Sequence, residues 1–277
     1  MLKGYTKQEI SWMMYDWANS AHSVIIVTLL PIFFDTVAGY TADSVSSMST
    51  WGYATSIAML IVALAAPFLG VFGDIRGMRK KLFSFFMLLG VAACAGMAFT
   101  PGMDFTSGPV AAGKVASLIL VLYIVSVIGF DASAIYYDAF LTDVTTEDRM
   151  DKVSTMGYGL GYIGGSTIPL LIFLIMNLVG VPMLTCLAFV FGLTAVWWLA
   201  FSLPLLKNCE QTSGKPYEKG DVARSIKGVG TTIKEIIANK PMLIYILSYF
   251  FYIDGVHTVI SMATTYGTNL GLDSTGM

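Results

Sequence analysis

Charge is what this chain has least of: only 12% of its 277 residues are Asp, Glu, Lys or Arg, where soluble domains carry about 25%. Hydrophobic residues make up 56% and the mean hydropathy is +0.71. That leaves too little polar surface to solvate a globule, and an ordinary soluble domain is excluded. The net charge of −2 offers no basic excess, so no nucleic-acid partner is expected. Cysteine is scarce and scattered: Cys94 and Cys186 lie in apolar runs and Cys209 in a polar stretch. This odd set has neither the pairing of a disulfide framework nor the spacing of metal ligands, and no metal or cofactor is expected. No nucleophile–base set or nucleotide loop stands outside the apolar runs, which argues against an enzyme. There is no Asn-x-Ser/Thr acceptor. The first apolar run is too long for a signal-peptide core and lacks a small-residue cleavage site, so it is expected to be retained.

What the chain does have is apolar length. A hydrocarbon core about 30 Å thick takes about 20 helical residues, and seven stretches qualify: Ile10 to Phe34, Trp51 to Phe72, Leu82 to Thr100, Val115 to Leu141, Val153 to Leu178, Val181 to Ser202 and Pro241 to Leu270. Cytoplasmic loops carry the excess of positive charge. With the N-terminus inside, every Lys and Arg except Lys114 falls on the inner side. The expectation is an all-α, multi-pass protein of a prokaryotic cytoplasmic membrane, with its N-terminus in the cytoplasm. The last apolar stretch has no mid-helix lysine of the kind that holds retinal.

Both histidines sit in a repeated stretch. Trp17-Ala-Asn-Ser-Ala-His-Ser-Val-Ile25 returns in diverged form as Tyr252-Ile-Asp-Gly-Val-His-Thr-Val-Ile260. The overlay aligns His22 with His257, Ser23 with Thr258 and Asn19 with Asp254. A polar-bearing helix that opens each of two halves is the parallel internal repeat of one large class of secondary transporters.

Between the second and third apolar stretches stands Gly70-Val-Phe-Gly-Asp74-Ile-Arg76-Gly77-Met-Arg79-Lys80-Lys81. It resembles the cytoplasmic signature of the major facilitator superfamily, Gly-x-x-x-Asp-Arg-x-Gly-Arg-Arg/Lys, with the first Arg displaced by one and Met78 in place of a basic residue. Gly70 is expected to allow a sharp exit from the second helix. Asp74 and the basic cluster are expected to lock neighbouring helix ends in one state of a transporter. Four motifs narrow the resemblance: Tyr15-Asp-Trp-Ala-Asn-Ser-Ala21, Tyr137-Asp-Ala-Phe-Leu141, Gly157-Tyr-Gly-Leu-Gly161-Tyr-Ile-Gly-Gly165 and Tyr252-Ile-Asp-Gly-Val-His-Thr258. Together they are similar to the vacuole-effluxer-like branch, whose fungal members export amino acids from the vacuole. The chain departs from that pattern at His22, Asp138, Thr142 and His257.

The resemblance implies twelve helices in two six-helix halves, of which this chain covers the first half and helix 7. The expected organisation is a six-helix bundle over residues 1–202, a cytoplasmic central loop over 203–240 and the first helix of an incomplete second bundle over 241–277. Val222, Ile226, Val229, Ile233 and Ile236 form a stripe at helical spacing, which predicts an amphipathic helix on the inner membrane face. The missing half, or a second copy, would be needed to complete a pore. The chain by itself is therefore not expected to transport.

A charged group at mid-membrane costs about 2.5–3.5 kcal/mol on insertion scales and tends to face a pathway. Asp16, Asn19, Ser20 and Ser23 share a face of helix 1, with His22 at its edge. Asp131 and Asp138 share a face of helix 4, and Asp254, His257, Thr258 and Ser261 share one of helix 7. The resemblance implies that these three helices line the central cavity, so Asp16, Asn19, His22, Ser23, Asp131, Asp138, Asp254, His257 and Thr258 are the candidates for a solute or proton pathway. The bland alternatives are an interfacial Asp16, Asp138 paired with the basic loop, and helix-to-helix hydrogen bonds for Asp131, Asp254 and the histidines. Gly157, Gly161 and Gly165, four apart, make a flat helix face read first as packing. The function expected is secondary transport of a small polar solute across the bilayer, with amino-acid efflux and proton coupling in view. The alternative is a non-transporting sensor or scaffold.

Overall fold

The computed structural model describes residues 3–41, 44–216 and 220–270, and among them every regular element is helical. They run α1 (Lys7–Ala38), α2 (Ser44–Gly73), α3 (Arg79–Met97), α4 (Pro109–Val144), α5 (Met150–Leu160), a π-helical turn (Gly161–Ser166), α6 (Thr167–Leu178), α7 (Met183–Asn208), α8 (Asp221–Ala238) and α9 (Lys240–Asn269). Helices α5 and α6 with the π turn between them make one span. Seven spans are thus long and apolar enough to cross a membrane, in the order expected.

The spans outrun their apolar cores because local signals set the ends. Helix α1 begins in a capping box: the Thr6 hydroxyl accepts from the Glu9 amide at 3.1 Å, and the Glu9 carboxylate accepts from the Thr6 amide at 2.7 Å. Helix α6 ends at Gly180, whose φ of +84° suits glycine and turns the chain toward α7. Helix α7 runs through Pro204 to Asn208, past the expected end at Ser202. That extra turn is held on α1, with Asn208 donating to Ser11 Oγ at 2.9 Å and buried Cys209 bonding the Gln8 carbonyl at 3.6 Å.

Lipid tails give no hydrophobic drive for helices to associate, so close packing and interhelical hydrogen bonds hold a bundle in the bilayer. Helix α1 is its axis, with 61% of its most apolar window buried, against 11% for α2 and none for α9. It packs on α4, α7 and the α5–α6 span. Its aromatic residues interlock with α4: Trp12 stacks on Tyr137 with centroids 4.3 Å apart and donates to the Tyr137 carbonyl at 2.9 Å. Tyr15 shares a 2.8 Å hydrogen bond with Ser133. Helices α3 and α4 approach at Gly90 and Gly129; a Cβ on Gly129 would lie 2.5 Å from the Gly90 nitrogen.

The glycine face of the fifth span lies against α1. A Cβ at Gly157 would come 2.6 Å from Asp16 Oδ2 and one at Gly161 would come 2.6 Å from Ser20 Oγ, while at Gly165 it would strike the Trp17 carbonyl. Beside them, Gly164 leaves room for the Trp17 ring. At the inner end, Arg149 grips Glu9 with both arms, at 2.8 and 2.9 Å, and Thr145 adds a bond at 2.7 Å. This ties the start of α1 to the α4–α5 connection.

Candidate functional site

The polar groups of the spans separate into three places: a cavity, a carboxylate buried beside α1, and a clasp at the inner end.

The cavity, of about 950 Å³, lies between α2, α4 and α9. Asp131 enters from α4, Thr55 and Ser56 from α2, and Asp254, His257 and Thr258 from α9. Each face follows from helical spacing: Asp254, His257 and Thr258 fall within one turn of α9, and Gly52, Thr55, Ser56 and Met59 within two turns of α2. The apolar wall is formed by Tyr53, Phe250, Ile253 and three thioethers, Met48, Met59 and Met262. Behind Thr55 the hydroxyl of Tyr123 lies 3.2 Å away, and Tyr123 itself packs on Trp51 at 4.4 Å. Sequence reasoning missed the contribution of α2, because Thr55 and Ser56 look like ordinary helix hydroxyls until α4 and α9 are placed opposite them.

The polar face of α1 does not meet that cavity. Asp16 turns toward the fifth span and accepts a 2.8 Å hydrogen bond from the Tyr137 hydroxyl. Asn19 is buried and Ser23 half-buried. His22, 3% exposed, lies inside the bundle: its Nε2 is 3.3 Å from Ser126 Oγ, and its ring stacks on Phe130 at 4.8 Å and meets Trp198 at 5.1 Å. Its neighbours are therefore aromatic residues and one hydroxyl, and it is absent from the cavity wall. Asp138 is exposed, one turn beyond the Asp16–Tyr137 pair.

The clasp is built on the glycine- and arginine-bearing loop. Gly70 does not end the second helix, contrary to the sequence expectation; the Asp74 amide still bonds the Gly70 carbonyl at 3.1 Å, and α2 runs on to Gly73. Gly73 is where Tyr136 presses, since a Cβ there would be 2.9 Å from its ring, and the chain turns at Gly77 with φ of +79°. Arg79 is 5% exposed. Its guanidinium pairs with Asp143, donates to the Ala139 carbonyl at 2.9 Å and to Ser213 Oγ at 3.1 Å, and reaches Asp74 at 3.8 Å. The ring of Phe140 lies 5.8 Å beneath it.

The residues after α7 close over this pair. The Gln211 carboxamide accepts from the Gly77 amide at 2.8 Å and donates to the Gly73 carbonyl at 3.0 Å. One Asp143 oxygen accepts from the backbone and hydroxyl of both Thr212 and Ser213, at 2.8–3.1 Å. The strand-like crossing is completed by Arg76 and Lys215, whose backbones bond at 3.0 Å. The side chain of Arg76 is exposed, and Lys80 borders a basic pocket of about 340 Å³ with Lys81 and Glu210. Asp143, Gln211 and Ser213 gave no signal in the sequence, because a polar residue after a helix looks the same whether or not a loop closes on it.

These features define a multi-pass integral membrane protein of the major facilitator type. A family model described as "Vacuole effluxer Atg22 like" matches residues 35–275, and the chain belongs to that family. The "Uncharacterized MFS-type transporter YxiO" of Bacillus subtilis (strain 168) is 40% identical over 285 residues, covering 100% of this chain and 64% of that protein. "Autophagy-related protein 22-1" of Sclerotinia sclerotiorum is 26% identical over 131 residues, 42% of this chain and 22% of that protein. Its namesake in Penicillium rubens is 26% identical over 125 residues, 42% and 21% respectively. The chain spans less than two-thirds of the length of these relatives.

Proposed function

We propose that this chain forms the N-terminal bundle and seventh span of a secondary transporter. It moves a small polar solute, with amino-acid efflux the transport it best suits, by alternating access coupled to protons. The observation that carries this reading is the cavity: in a chain so poor in charge, three spans bring Asp131, Asp254 and His257 to one hollow of about 950 Å³. Acids held at membrane depth cost energy that a packing role does not return. Asp254 and His257, one turn apart, are the pair proposed to take up and release the coupled proton, and Asp16 with Tyr137 a second station nearer the inner end. The clasp around Arg79 is the proposed inner gate, residues 1–202, 203–240 and 241–277 the proposed units, and the basic end the cytoplasmic one. The rest of the pathway wall is proposed to come from further sequence of the kind the longer relatives have, or from a second copy.

The test is flux in liposomes by the full-length protein, against a panel of amino acids with and without a pH gradient. Asp254→Asn is expected to abolish gradient-driven accumulation and to leave downhill exchange; His257→Gln is expected to be milder. Full accumulation by Asp254→Asn with an unchanged pH profile would make Asp254 a packing residue and move the proton site to Asp131. No flux under any condition would favour a sensor or scaffold.

A further inference from the structure

We propose that the wall formed by α2, α4 and α9 recognises its solute through a positively charged nitrogen, so that the class carried is amine-bearing and an amino acid is held here by its amino end. This presupposes that the cavity is the solute's pathway, as proposed above. The charged groups of the described wall are the two carboxylates, Asp131 and Asp254, with His257 beside them and no lysine or arginine.

The rest of the molecule shows how this fold treats acids it means to neutralise. Glu9, at 1% side-chain exposure, is paired with Arg149, and Asp143, at 0%, with Arg79. Among the described residues Asp131 and Asp254 have no such ion-pair partner, although they stand where water is scarcest. Two like charges facing one hollow favour a cation between them and repel an anion.

The apolar lining suits the same ligand. Tyr53 and Phe250 keep 71% and 58% of their surface exposed, and an aromatic face attracts an ammonium through its quadrupole. Met48, Met59 and Met262 add polarisable surface that adapts to side chains of different shape. Thr55, Ser56 and Thr258 supply hydroxyl oxygens that can accept from ammonium hydrogens.

Two probes separate the ends of an amino acid. Leucine methyl ester keeps the ammonium and lacks the carboxylate; N-acetylleucine is the reverse. Binding is read as the ligand-induced shift in melting temperature of the purified protein in lipid nanodiscs. The ester is expected to raise the melting temperature and N-acetylleucine to leave it unchanged. Asp131→Asn and Asp254→Asn are each expected to weaken ester binding at least tenfold, and Asp131→Glu and Asp254→Glu to restore part of it, which guards against a variant that merely folds poorly. Equal binding of N-acetylleucine, binding of neither probe, or Asn variants that hold the ester unchanged would each overturn the proposal. Liposome flux separates the two claims. Ester binding without flux of any amine sinks transport and leaves recognition standing, whereas flux confined to carboxylates without an amine sinks recognition and leaves transport standing.

Discussion

Helices α1 and α9 carry related polar stretches and live in different surroundings. His22 is enclosed at 3% exposure between Ser126, Phe130 and Trp198, whereas its counterpart His257 stands on the wall of the cavity. Asn19 is buried and Asp254 is exposed. The same spacing of polar residues therefore serves packing in one helix and presents chemistry in the other. Their neighbours make the difference: α1 is surrounded by α4, α7 and the glycine face of the fifth span, while α9 touches the described chain through α1, α2 and α8.

The largest effect that would sharpen this contrast is expected at the clasp, on the enclosed side. Arg79→Ala strands Asp143, whose side chain is fully buried, and removing one partner of a buried pair costs about 3–5 kcal/mol. A lower melting temperature and a poor folded yield should follow. Asp254→Asn, on an exposed face, should leave the melting temperature of the same preparation unchanged. Equal losses in the two variants would erase the distinction between the regions.

Next in size are the glycines. Gly165→Ala drives a methyl into the Trp17 carbonyl, an overpacking that costs about 1–3 kcal/mol. Gly159→Ala, in the same span, meets nothing within 4 Å and should be silent or slightly stabilising. Thermal unfolding of the two variants side by side checks this, and the prediction fails if Gly159→Ala is the more damaging.

The histidines come third. His22→Gln loses two ring contacts in a closed site, worth about 0.5–1.5 kcal/mol each by aromatic-pair measurements. His257→Gln should not change stability and should alter only the pH response of transport. The smallest effect on the molecule is expected from Lys215→Cys, an exposed position beside the clasp. Its thiol should react with an impermeant reagent only from the cytoplasmic side. Labelling from outside intact cells would invert the proposed topology.

The sequence made the membrane spans legible because hydropathy is a property of single residues summed over a window. All seven were found, and the stripe from Val222 to Ile236 announced α8. The ends were less legible. Helix α4 runs from Pro109 to Val144, beyond Val115 to Leu141 at both ends, because its flanking residues continue the hydrogen-bonded ladder without being apolar. Pro204 suggested a stop that α7 does not make. Partnerships across the chain were not legible at all. Nothing local ties Asp143 to Thr212, 69 positions away, or Asp16 to Tyr137, 121 positions away. Likewise the face of α1 that looked like a pathway turned out to be divided between the fifth span, for Asp16 and Ser20, and the aromatic interior, for His22.

The π turn at Gly161–Ser166 is, in terms of chain length, an insertion carried in mid-span. A π turn closes its hydrogen bonds one residue later than an α turn, and Thr167 uses the slack, its hydroxyl bonding the Tyr162 carbonyl at 2.9 Å. Each helical residue advances the azimuth by about 100°. Deleting one residue here would let the ladder run on without a break and would rotate the whole of Thr167–Leu178 by about that angle. Phe173, 7% exposed, would leave its seat, and the wall that α6 shares with α1 and α7 would be repapered with different side chains. The fifth span is thus tolerant of substitution at an open position such as Gly159 but intolerant of any change in residue count, a constraint visible only as a gap that alignments of such proteins should avoid.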